Sequence, residues 1–142
     1  MDTNQTVAKK SKQFAIHVMK LVEHLRKNKR PYFIIDQVGR SGTSIGANVM
    51  EAEHAITQKE FLQKMYIAYK ESNETLYWLE LLFESGYVAA EGYQRLYTEC
   101  NEIEKNAVCD YQNDGRKNKK KRRFIIFAPH HHSSLLTSNY LK

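Results

Sequence analysis

Arg40, Asn48, Glu51 and Glu71 are residue types that build ion-pair or ligand-holding clusters. The first three fall on one helical segment and Glu71 on the next, so the four can meet across a helix pair. Two outcomes are open at this point: a buried hydrogen-bonded network that fixes helix register, or a contact for a ligand or RNA. His17 and His24, seven residues apart, could share a face with acids elsewhere in the manner of a general base. Lone helical histidines are more often surface or boundary residues, so no catalytic residue is assigned and no enzymatic activity is expected. His130, His131 and His132 are adjacent, and neighbouring residues of that kind present no tetrahedral set of ligands. No metal and no cofactor is expected. Cys100 and Cys109 are nine residues apart, which turns them to opposite faces of a helix, and with no C-x-x-C spacing they read as reduced and structural.

Charge is unevenly distributed. Of 22 Lys and Arg residues, eight lie from Gly115 onward with no acid among them, leaving fourteen against sixteen acids in the body. Residues 1–30 hold eight basic and two acidic side chains, whereas residues 31–114 hold six and fourteen. One reading is a basic first helix packed against acidic later ones. The other is a basic outer face for nucleic acid, with Lys9, Lys10, Lys12, Arg26, Lys27, Lys29 and Arg30 as phosphate contacts. Arg116, Lys117, Lys119, Lys120, Lys121, Arg122 and Arg123 form a second, denser run that attracts polyanions whatever the rest of the chain does.

The stretch "GRSGTSIGANVMEA" (39–52) is dense in small residues, which serve either a phosphate cradle or a close helix contact. Gly42 and Gly46 are separated by three residues and followed by Ala-Asn, so neither the Walker pattern nor a dinucleotide fingerprint is met. Gly39, Gly42 and Gly46 instead fall on one side of a helix, beside an apolar stripe of Val38, Ile45, Val49, Ala52 and Ile56. Each glycine costs about 1 kcal/mol of helix propensity relative to alanine, a loss that close packing must offset. An interior seam is expected there.

These residues sit on four predicted helices. In 11–29, Phe14, Val18, Leu21 and Leu25 recur at helical spacing, and Pro31 fits the first turn of the second helix. Thr57 and Glu60 form a T-x-x-E capping pattern at the start of the third, and Gly86 is positioned to end it. Phe61, Met65, Ala68, Ser72, Leu79 and Leu82 make the inward stripe of that helix, with Thr75 and Leu76 at its edge. The last helix spans about 89–107. Short connections make sequential helices antiparallel, so the expected fold is all-α: an up-down-up-down antiparallel four-helix bundle over residues 1–112, followed by a non-globular basic tail over 113–142. No run of about 18 uncharged apolar residues occurs, and the N-terminal stretch has no apolar signal core. A cytoplasmic protein with no membrane contact is expected.

"RSGTSIGANVMEA" followed by "KEFLQKMYIAYKESNETLYWLELL" resembles the four-helix-bundle proteins encoded within intervening sequences of bacterial 23S rRNA genes, a fold shared by the accessory variability determinant of diversity-generating retroelements. The matching positions are Arg40, Ser41, Ser44, Ile45, Asn48 and Glu51, then Lys59, Glu60, Phe61, Ala68, Lys70, Glu71, Ser72, Glu74 and Leu79. The resemblance implies a non-enzymatic bundle, a ring-like homopentamer and nucleic-acid binding. It also marks Arg40, Ser41, Ser44, Asn48, Glu51 and Glu71 as a polar cluster typical of the family. Beyond Val108 nothing resembles the family, and the basic tail is either an appended arm or a drifted reading frame.

Self-association has independent support in the third helix. Within "LYWLELLF" only Glu80 is charged, and Tyr77, Trp78 and Phe83 extend apolar surface past the inward stripe. An oligomer interface is expected there, although the fourth helix could cover part of it. The expected partners are thus further copies of the chain and nucleic acid, the rival being another protein bound with no nucleic acid at all.

Overall fold

The computed structural model describes residues 6–117, with side chains through Ala107, and these form four helices: α1 (Val7–Lys27), α2 (Tyr32–Glu53), α3 (Gln58–Glu84) and α4 (Ala90–Lys117). No strand occurs among the described residues.

Local signals set the helix ends. Thr6 opens α1 by accepting the Lys9 N–H through its hydroxyl at 3.3 Å. His24, Arg26 and Lys27 occupy its last turn, where cations oppose the negative end of the helix dipole. The Arg30 N–H then bonds to the Leu25 carbonyl at 3.0 Å and the Lys29 N–H to the Arg26 carbonyl at 2.9 Å. This Schellman closure puts Lys29 at φ +52°, a left-handed conformation that costs a lysine about 1 kcal/mol. The same two bonds close α3, from Tyr87 to Leu82 and from Gly86 to Phe83, with Gly86 at φ +70°. There the glycine adopts the turn freely. Pro31 stands just outside α2 as its N-cap, one position before the expected first turn. At the start of α3 the Thr57 hydroxyl accepts the Glu60 N–H at 3.2 Å, and the Glu60 carboxylate reaches back to the Ile56 N–H rather than that of Thr57.

Sequential helices lie side by side, α4 returns to α1, and among the described residues the backbones of neither diagonal pair approach closely. The helices therefore occupy the corners of a square in chain order, as an up-down-up-down bundle does. The main core joins Phe14, Val18, Leu21 and Leu25 of α1 to Ile34, Ile35, Val38 and Ile45 of α2, Leu79 and Leu82 of α3, and Leu96, Cys100 and Ile103 of α4. A second cluster, around Val49, Met65, Ala68 and Ala107, fills the end nearest the α2–α3 turn.

Between α1 and α2 lies the seam expected from the glycine spacing. A Cβ built on Gly42 would stand 2.7 and 2.9 Å from the two methyls of Val18, and one on Gly39 3.2 Å from a Val22 methyl. On Gly46 it would stand 3.3 Å from the Ser11 carbonyl oxygen. Only hydrogen fits at Gly42 without displacing the other helix.

Three expectations are corrected. The periodicity places Ile56 on the buried stripe of α2, but that helix ends at Glu53 and the side chain, in the following turn, is 95% exposed. Thr75 was placed at the edge of the α3 stripe, but it is fully buried, because its hydroxyl has partners inside the bundle. The fourth helix runs past 107 to Lys117, since a polar stretch can continue a helix after its apolar period has lapsed.

Candidate nucleic-acid interface

Exposed cations cluster around the two ends of α1, with Lys20 alone at mid-helix and Lys29 in the turn that follows the helix. Lys9 and Lys12 are exposed on the first turns, and Arg26, Lys27 and Lys29 are exposed at the far end. None of these five makes an ion pair among the described residues. Lys10 differs: it is half-buried and pairs with Glu102 of α4 at 3.6 Å. Beside it, His17 Nδ1 and Glu99 Oε2 meet at 2.7 Å, so two polar pairs line the α1–α4 groove. The reading of a basic first helix facing acidic later ones holds along this groove, while the exposed cations carry the other reading.

Arg30 is held by the opposite corner of the bundle. Its guanidinium lies 4.6 Å from the ring centroid of Tyr87, in the α3–α4 connection. Next along the chain, α2 begins with no side-chain cap and no acid in its first turn. Tyr32 and Phe33 on that turn are 71% and 65% exposed. Sequence reasoning missed both rings, although the run "RKNKRPYF" sets two aromatics just after four cations and was the signal available. Arg116 and Lys117 end α4, while Lys119, Lys120, Lys121, Arg122 and Arg123, like His130–His132, lie outside the described residues.

The polar cluster divides. Arg40 forms an ion pair with Glu74 of α3, approaches Glu71 at 3.9 Å and bonds to Gln37 at 3.0 Å. Glu74 also accepts the Trp78 indole N–H at 3.2 Å. Ser41 and Thr75 join their hydroxyls at 3.0 Å in the buried α2–α3 contact, and Thr75 lies 2.8 Å from the Glu71 carbonyl. A hydroxyl has one proton, so with Thr75 donating to that carbonyl, Ser41 is the donor within the pair. Ser44 and Asn48 bond instead to their own helix, at the Arg40 and Ser44 carbonyls, and Glu51 pairs with Lys64. The helices thus bring Arg40, Ser41 and Glu71 together with Glu74 and Thr75, and leave Asn48 and Glu51 apart. Burial raises the Glu71 carboxyl above the usual range, and Glu74 adds to this against the opposing charges of Arg40 and Lys70. One Glu71 oxygen is buried without a hydrogen bond.

Other titratable groups are likewise built into the fold. Cys100 is fully buried with its Sγ 3.5 Å from the Ser72 carbonyl, and desolvation, with Glu104 nearby, pushes its thiol strongly upward. A thiol so held is a poor nucleophile. Among the described residues no group of three His, Cys, Asp or Glu side chains could hold a metal, and no helix is long and apolar enough to cross a membrane.

On α3, Tyr77 is 56% exposed, whereas Trp78 is half-buried against the core. Phe83 is partly covered by Tyr93, stacked at 4.5 Å between ring centres.

The family model for the 23S rRNA-intervening sequence protein matches residues 3–108. A crystal structure from Bacteroides thetaiotaomicron, of a protein with unknown function from the S23 ribosomal protein family, is similar at a TM-score of 0.74 and 39% identity. The match covers 75% of this chain and 99% of that one, so nearly the whole of that protein corresponds to the bundle. No curated protein matches significantly. The matched length, taken with the square four-helix packing and its glycine seam, assigns the chain: it belongs to the 23S rRNA-intervening sequence protein family.

Proposed function

We propose that this chain is a non-catalytic, cytoplasmic bundle that self-associates and binds nucleic acid through the exposed cations of α1, with RNA favoured by the name of its family. The observation that carries the reading is that Lys9, Lys12, Arg26, Lys27 and Lys29 are exposed with no acidic partner among the described residues, while five acids, Glu51, Glu71, Glu74, Glu99 and Glu102, face partners on neighbouring helices. Unpaired surface cations bind phosphate by releasing its counterions. Absence of catalysis belongs to the same reading, because His17, Glu71 and Cys100 are engaged in structural contacts. A homopentamer, the ring implied by the family resemblance, would repeat the cationic ends by symmetry.

A second reading has its own support. Exposed Tyr66, Tyr77, Ile16 and Met19 offer apolar surface for protein contacts, and the chain would then bind a protein and no nucleic acid. A mobility-shift titration with a structured RNA at several salt concentrations separates the two. The full chain, a chain shortened after Lys117 and a Lys9→Gln/Lys12→Gln variant are compared. Binding that survives removal of the tail and falls in the variant supports the first reading; no binding by the shortened chain even at low salt transfers the function to protein contacts. Sedimentation of Tyr77→Glu tests assembly, with a shift toward monomer expected.

A further inference from the structure

We propose that the α1–α2 corner is a stacking site for unpaired nucleobases, in which Tyr32 and Phe33 receive the bases while Lys27, Lys29 and Arg30 hold the phosphates. The site rests on the nucleic-acid reading above and narrows it from polyanions in general to single strands.

The two rings stand outside the core. Neither belongs to a core cluster, neither has a ring partner among the described residues, and both are mostly exposed. Adjacent helical residues point about 100° apart, so the two rings leave the first turn of α2 in different directions, and each is mostly exposed. Between Glu23 and Asp36 there is no acid, and four cations precede the rings within five positions. Arg30 is steadied by Tyr87 from the α3–α4 connection, so the guanidinium is held at the corner before any ligand arrives.

Competing occupants fit only half of this chemistry. A second copy meeting the patch through a two-fold contact would cover the rings but set cations against cations, and a ring neighbour, which would bring a different surface, is the occupant that sedimentation of the alanine variant tests. A nucleic-acid duplex would neutralise the cations but has its bases already stacked, leaving the rings nothing to receive. An unpaired strand supplies a phosphate chain and free base faces together, the combination that single-strand-binding surfaces use.

The test uses the full chain, a labelled short oligouridine and an RNA duplex of equal length. The expected result is tighter binding of oligouridine, which Tyr32→Ala/Phe33→Ala weakens about 10- to 100-fold while leaving duplex binding unchanged. The slope of log K against log salt should stay as in the parent, because no phosphate contact is removed, whereas Lys27→Gln/Lys29→Gln should flatten it by about 1.4. Tyr32→Phe/Phe33→Tyr keeps two rings and should bind as the parent does. Ultraviolet crosslinks should map to the peptide carrying Tyr32 and Phe33. If the parent binds but the alanine variant is unaffected, or crosslinks fall only within 116–123, base stacking at this corner is wrong and nucleic-acid binding stands. If the parent binds neither probe, both fail. A changed sedimentation coefficient in the alanine variant, with the melting curve of the parent, would make the rings a subunit contact and overturn the proposal.

Discussion

Along its flank toward α1, α2 presents Gly39, Gly42 and Gly46, and no side-chain hydrogen bond joins the two helices among the described residues. Along its flank toward α3 it presents Arg40, which engages Gln37, Glu71 and Glu74, and Ser41, which engages Thr75. One helix is thus held by shape on one side and by polar pairing on the other. The first contact should be sensitive to added volume, the second to lost atoms and to pH.

The largest expected effect is at Gly42. Its missing Cβ is replaced in space by the methyls of Val18, a fully buried β-branched side chain with little rotamer freedom. Gly42→Leu should lower unfolding free energy by about 3 kcal/mol or more, read as an earlier denaturant midpoint. Val18→Ala should recover part of the loss caused by Gly42→Ala; strictly additive costs would mean that the two residues do not meet.

On the polar flank Thr75→Val keeps the shape and removes the hydroxyl, leaving Ser41 with a buried, unanswered O–H. A cost of about 1–2 kcal/mol is expected, with Thr75→Ser close to the parent. A valine variant as stable as the parent would show that this flank, too, is specified by shape.

A smaller effect distinguishes the flanks by pH. The raised Glu71 carboxyl binds its proton more readily in the folded than in the unfolded chain. Its contribution is therefore fully present below the ordinary carboxylate range, about pH 4, and is lost as pH rises through the raised folded value. Glu71→Gln should melt higher than the parent at neutral pH and lose that advantage near pH 4. A constant difference across the range would remove Glu71 titration from the account. Glycine-flank variants should show no such pH dependence.

The smallest change sharpens the seam itself. In Gly46→Ala about 1 kcal/mol of helix propensity opposes a 3.3 Å approach to the Ser11 carbonyl, and a net change within about 0.5 kcal/mol is expected in a thermal melt. A loss equal to that of Gly42→Ala would extend the tight contact along the whole seam.

The bundle itself was legible because its signals are local. The apolar recurrence of Phe14, Val18, Leu21 and Leu25, the Thr57–Glu60 cap and the Gly86 closure each depend on residues within a few positions of one another, so the sequence by itself determined where α1 and α3 lie. Even the seam could be read, since three glycines at helical spacing have few other uses. That Gly42 is the tightest point and Gly46 a less tight one depends on the stagger of α1, which side-chain packing over the whole contact sets. The same holds for polar partners. Arg40, Asn48 and Glu51 share a helix, but only the rotation of α2 against α3 decided that Arg40 meets Glu74 while Glu51 turns to Lys64. Tertiary structure alone joined Arg30 to Tyr87, whose positions are far apart in sequence, and left Tyr32 and Phe33 uncovered, because exposure depends on what the rest of the chain packs against and no local rule carries that information.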